Sequence, residues 1–110
     1  MVAKNNSFYK MDMLLLSALR IKDCYGYEMV KLIYDLSKGL VKIKEGTMYP
    51  ILYSLLKNEY ISSYDIVAGR KIRVYYHLEE KGRLYLEDII SDYQTMIDGI
   101  NHVIDYKEGE

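Results

Sequence analysis

The apolar spacing of the last third of this chain limits its fold more than anything else in it. Leu86, Tyr93 and Ile100 recur every seven residues, and Ile90, Ile97 and Ile104 do the same. That spacing predicts one helix over residues 80–106, with an apolar seam on one side and Asp and Glu on the other. At 1.5 Å per residue such a helix is roughly 35–40 Å long. A chain of 110 residues leaves too small a body to cover it. A helix from a second copy is the natural cover, and a two-fold dimer is the commonest closed arrangement.

The body ahead of this helix divides into short elements. Residues 9–21 are apolar on nearly every side, with Met11, Met13, Leu14, Leu15, Leu16, Ala18, Leu19 and Ile21. A short helix of that kind needs cover on several faces, as a central core helix or part of a subunit interface. Residues 22–26 break it. A second helix is expected over 26–37, with Met29, Val30, Ile33 and Leu36 on one stripe and Gly39 as its stop. The link 40–44 has room for a brief strand. A third helix is expected over 45–58, with Ile51, Leu52, Leu55 and Leu56 inward and the sole proline, Pro50, near its start. Strand-like runs at 60–67 and 71–78 flank a hairpin tip, Ala68-Gly69-Arg70-Lys71.

Composition narrows the function. The longest apolar run, 13–19, is far short of the roughly 20 residues of a membrane span, and no signal peptide is read at the N-terminus. Cys24 has no cysteine to pair with. It reads as a small core residue in a reducing cytoplasm. His77 and His102 have no cysteines at ligand spacing, so neither a metal nor a cofactor is expected. No paired carboxylates or nucleophile–base set is identifiable, so the chain does not read as an enzyme. The net charge of −1 hides a division. Residues 1–78 carry 12 Lys and Arg against 7 Asp and Glu, a balance of +5. Residues 79–110 carry 3 against 9, a balance of −6. A basic front can face a polyanion while the acidic rear points away.

The order of elements predicts a mainly α fold with a small β-hairpin. It is a winged helix-turn-helix over residues 9–78 and a C-terminal dimerisation helix over 79–107. In that architecture the third helix enters the major groove with its first residues toward the bases. Lys44, Thr47, Met48 and Tyr49 are the expected exposed candidates. Hydroxyls of Thr47 and Tyr49 suit phosphates or base edges, and Met48 suits a thymine methyl. The first turns hold no Arg, Asn or Gln, so phosphate contacts and indirect readout are expected to carry specificity. Arg70, Lys71 and Arg73 form the wing, suited to the backbone or the minor groove.

Four stretches carry a family resemblance: Gly26-Tyr27-Glu28-Met29, Glu45-Gly46-Thr47-Met48-Tyr49-Pro50-Ile51-Leu52, Gly69-Arg70-Lys71 through Tyr75-Tyr76-His77-Leu78, and Glu80-Lys81-Gly82. Over about residues 12–86 the chain resembles the PadR transcriptional regulators, and its single-helix tail resembles their small subfamily. The resemblance implies a sequence-specific, homodimeric DNA-binding repressor released by a small molecule, with the first and last helices making the dimer. It implies roles at the DNA for Tyr27, Thr47, Tyr49, Arg70, Lys71 and Arg73, with Tyr75 on the strand behind the wing. The implied partner is a double-stranded, pseudo-palindromic operator. Two departures matter. Leu55-Leu56-Lys57-Asn58-Glu59-Tyr60-Ile61 lacks the Glu and Gly usual in the family, so Asn58 is expected to take the left-handed turn. Glu79 stands where the family has Thr, which removes the usual helix cap. Small PadR-like proteins bind flat aromatic compounds at the dimer interface. Here that effector site would draw on Tyr9, Met11, Leu15, Tyr93, Met96 and Ile97, the alternative being a dry interface core. The competing reading is a winged-helix protein-interaction module without DNA binding, motivated by the sparse chemistry of the third helix.

Overall fold

The computed structural model describes residues 10–109. Its elements are α1 (Met11–Ile21), β1 (Cys24–Tyr25), α2 (Gly26–Leu36), α3 (Glu45–Lys57), β2 (Ile61–Ala68), β3 (Lys71–Leu78) and α4 (Glu80–Ile104). The four helices and the hairpin stand where the sequence puts them, with ends displaced by one or two residues, and the expected tip 68–71 narrows to a two-residue turn at 69–70. The short strand β1 is an addition. It pairs antiparallel with β3, Cys24 opposite Tyr76 and Tyr25 opposite Tyr75, giving the sheet order β1-β3-β2. The link 40–44 forms no strand.

Helix α1 is the hub. It touches α2, α3, α4 and β3, which accounts for most of its apolar residues, while Ile21 stays 59% exposed. Met13, Leu15, Leu16, Ala18 and Leu19 are buried there, against Met29 and Ile33 of α2, Met48, Leu52 and Leu55 of α3, Tyr76 of β3, and Leu86 and Ile89 of α4. Among the described residues no polar or charged side chain is buried.

Both helix stops ahead of the hairpin use the left-handed region, at the expected residue after α2 and one position beyond it after α3. After α2 both Lys38 (φ 58°) and the expected stop, Gly39 (φ 81°), are left-handed, the Lys38 N–H donating to Asp35 O (3.0 Å) and that of Gly39 to Tyr34 O (2.8 Å). After α3 the left-handed residue is Glu59 (φ 63°), while Asn58 stays right-handed at φ −85°. The Asn58 side chain instead donates to Ser54 O (2.9 Å). The paired bonds Glu59 N–H to Leu56 O and Tyr60 N–H to Leu55 O close a Schellman turn. That turn fixes which residue is left-handed by its distance from the last helical carbonyls, whatever the side chain.

Pro50 is the sixth residue of α3 and lies in its second turn. It removes the bond to the Gly46 carbonyl, which sits at an exposed position that water can serve. Gly82, in the first turn of α4, packs so closely on the Tyr60 carbonyl that any Cβ would collide with it. As the substitution at Glu79 implies, α4 has no side-chain N-cap. The Glu79 carboxylate accepts from Ser62 Oγ instead (2.6 Å).

Candidate nucleic-acid interface

Helices α2 and α3 meet at their N-terminal ends. Tyr25 precedes α2, and its N–H donates to the Glu28 carboxylate (3.2 Å), which closes the first turn. Gly26 follows and is buried. A Cβ there would collide with the Tyr49 hydroxyl, so this glycine is what lets the start of α3 close on the start of α2. Tyr27, next along, is 60% exposed.

Of the residues expected on α3, Lys44 and Thr47 are exposed. Lys44 is the N-cap, and its carbonyl accepts from the N–H groups of Thr47 and Met48 (both 3.0 Å). Met48 corrects the sequence expectation: it is fully buried. The inner stripe of α3 runs Met48, Leu52, Leu55 at helical spacing, so Met48 fills the core and offers nothing to a thymine methyl. Stepping back four residues from Leu52 would have found it. Tyr49 is half-buried with its ring on Gly26, and burial pushes its phenol above the usual range, with Glu45 adding to the shift. Sequence reasoning missed Tyr53, 60% exposed with its ring 6.2 Å from that of Tyr49, and the exposed Lys42 ahead of α3. The i, i+4 spacing of Tyr49 and Tyr53 was the available signal for the first.

The wing tip is a two-residue turn at Gly69 and Arg70. Arg70 and Lys71 are exposed there. Arg73 is drawn back, its guanidinium 4.4 Å from the centre of the Tyr25 ring. Tyr75 lies farther from the tip, on the outer face of the sheet between Tyr25 (5.4 Å, edge-on) and Tyr64 (5.7 Å, stacked). The structure therefore groups Tyr27, Lys44 and Thr47 at the helix ends and Arg70 and Lys71 at the tip. Met48 goes to the core, and Tyr75 joins an aromatic cluster.

Three segments distant in sequence converge beside that cluster. Asp23, between α1 and β1, accepts from the Tyr64 hydroxyl of β2 (2.6 Å) through one oxygen. Its other oxygen lies 2.8 Å from Nδ1 of His77 on β3. The Tyr64 bond is the larger cause holding the Asp23 carboxyl below its usual range, against burial and with help from His77. An ionised carboxylate only accepts, so His77 Nδ1 carries the proton and donates. Tyr64 is pushed up to about 12, first by that same bond.

The expected effector residues differ in their surroundings among the described residues. Tyr9 lies outside the described residues. Leu15 is fully buried in the chain's own core, which corrects its placement at an interface; it sits on the side of α1 that faces the other helices. Met11, Tyr93 and Ile97 are half-buried and Met96 is 63% exposed. An open apolar groove of about 360 Å³ lies between α1 and α2, lined by Leu14, Ala18, Ile21, Ile33, Leu36 and Val41 among others.

Three helices closed by a β-hairpin define a winged helix-turn-helix protein. The chain belongs to the PadR-like family of transcriptional regulators, whose family model matches residues 15–88. A transcriptional regulator from Clostridium thermocellum is 33% identical in sequence and superposes with a TM-score of 0.80, over 90% of this chain and 96% of that one. An uncharacterized protein X of Lysinibacillus sphaericus is 33% identical over 85 residues, 76% of this chain and 77% of its own. Bacillus subtilis PadR, solved in complex with operator DNA, shares the fold at 22% identity and a TM-score of 0.66, over 73% of this chain and 45% of that one. No helix among the described residues is long and apolar enough to cross a membrane.

Proposed function

We propose that this chain is a sequence-specific DNA-binding regulator that acts as a homodimeric repressor in the cytoplasm. The observation that carries the reading is the joined start of α2 and α3, with Tyr27, Lys44 and Thr47 exposed beside it, on a fold whose hairpin ends in free Arg70 and Lys71 side chains at an exposed tip. Helix N-termini and cations suit phosphates, and the PadR of Bacillus subtilis uses the same fold on operator DNA. The far end of α4 supports the dimer: Ile100, Val103 and Ile104 are 44%, 78% and 70% exposed on one apolar stripe. In that dimer the second copy would complete a small-molecule site.

The test is binding to a duplex taken from upstream of the chain's own gene, across a salt series. Affinity should fall steeply as salt rises. Replacing Lys71 and Arg73 by Ala should weaken binding and flatten the salt slope by about 1–2. Absence of binding at low salt favours the second reading, a protein-interaction module, whose support is that Met48 faces the core and Tyr49 packs on Gly26.

A further inference from the structure

The hairpin leaves the protein core partway along its length. On its inner face Tyr76 is 4% exposed, Val74 is 42% and Ile72 is 66%. Beyond Tyr76, then, packing on the helices no longer holds it. What holds it there lies on the outer face. Tyr64 stands opposite Tyr75, Ser62 opposite His77 and Ile66 opposite Arg73, so these side chains share one surface. Across that surface runs a connected series: Arg73 over Tyr25, Tyr25 edge-on to Tyr75, Tyr75 stacked on Tyr64, and Tyr64 bonded to Asp23. Asp23 closes the series onto His77. It also lies two residues ahead of Tyr25, the N-cap of α2.

We propose that Asp23 is a positioning residue for DNA binding: by gripping Tyr64 and His77 it sets the angle of the wing relative to the α2–α3 pair. The proposal rests on the DNA-binding reading above. Two hydrogen-bond donors on one carboxylate give charge-assisted bonds, and those bonds span 41 and 54 residues of sequence. A grip of that kind fixes the geometry between two contact surfaces, where a local bond would steady only one. Released, the wing keeps its cations but no longer presents them at a fixed place. The free energy of their phosphate contacts is then offset by the entropy of ordering the hairpin on binding.

The test is a double-mutant cycle on DNA affinity, using the upstream duplex and a random duplex of equal length. Tyr64→Phe is the main variant, because it keeps the stacked ring and removes only the bond. Asp23→Ala is the second, and both are assayed where circular dichroism shows them folded. In the otherwise native chain, Arg70→Ala with Lys71→Ala should weaken binding about tenfold and reduce the salt slope by about 2. In the Tyr64→Phe background the same pair should cost no more than about threefold, since the wing already contributes less. Equal losses in both backgrounds would overturn the proposal and leave Asp23 a stabilising residue only, while the DNA-binding reading stands. A native chain that binds neither duplex at low salt removes both.

Discussion

The two halves of α4 carry the same apolar rhythm and meet opposite fates. In the first half Leu86 is fully buried and Ile89 is 6% exposed, packed against the helical core. In the second half Met96, Val103 and Ile104 stand 63%, 78% and 70% exposed. Periodicity tells which residues share a face; only the surrounding chain decides whether that face is covered. The molecule measures 67 × 28 × 27 Å, so the far half of this 25-residue helix extends beyond a body too short to reach it. The first half reports on folding and the second, in the proposed dimer, on assembly.

The difference between the halves can be broken by mutation. The largest effect is expected for Leu86→Ala, which should destabilise the fold by about 3 kcal/mol in urea unfolding, the cost of a cavity in a packed core. Gly82→Ala, at the base of the same half, should cost about 2 kcal/mol as its methyl group forces the Tyr60 backbone aside. In the far half, Ile100→Asp with Ile104→Asp should leave the stability of the isolated chain within about 0.5 kcal/mol of native. It should nonetheless turn a dimer into a monomer in sedimentation, and abolish any dependence of Tm on protein concentration. If that pair unfolds the chain as badly as Leu86→Ala, the two halves are not separate in function.

The smallest expected effect is at alkaline pH. Cys24 is pushed up to about 11, mainly by burial. Tyr85, half-buried and bonded to Asp12 of α1 (2.8 Å), is pushed up to about 12 by burial and that bond. Both hold their protons more firmly in the folded chain than in the unfolded one. Their contribution is complete below pH 9.0, the ordinary thiol value, and is lost as pH rises through the folded values of about 11 and about 12. Thermal melts from pH 8 to 12 should show this decline, and Tyr85→Phe should make it shallower. An unchanged profile would argue that the bond between the first half of α4 and α1 is immaterial.

Much of this was written in the sequence because the spacing is local. The all-round apolarity of α1 already required several neighbours, and the heptads of α4 already required a surface beyond the body. What escaped was decided by single steps of 100° around a helix or by contacts across many residues. Met48 and Leu15 were placed on the wrong side because a stripe read from its middle leaves its ends open. Strand β1 exists only because β3 offers Cys24 and Tyr25 an edge, which no two-residue pattern announces. Asp23, Tyr64 and His77 are brought together by the sheet register, so nothing in their separate surroundings pointed to one another.

A single residue, Glu79, separates β3 from α4. It is pinned twice, by its N–H to Tyr60 O (3.0 Å) and by its carboxylate to Ser62. The wing strand and the long helix are therefore the two arms of one crank. At 1.5 Å per residue α4 is about 37 Å long, so a 5° turn at Glu79 swings its far end through about 3 Å. In the proposed dimer that would make the gap between two wings on DNA and the fit between two α4 helices a single mechanical variable.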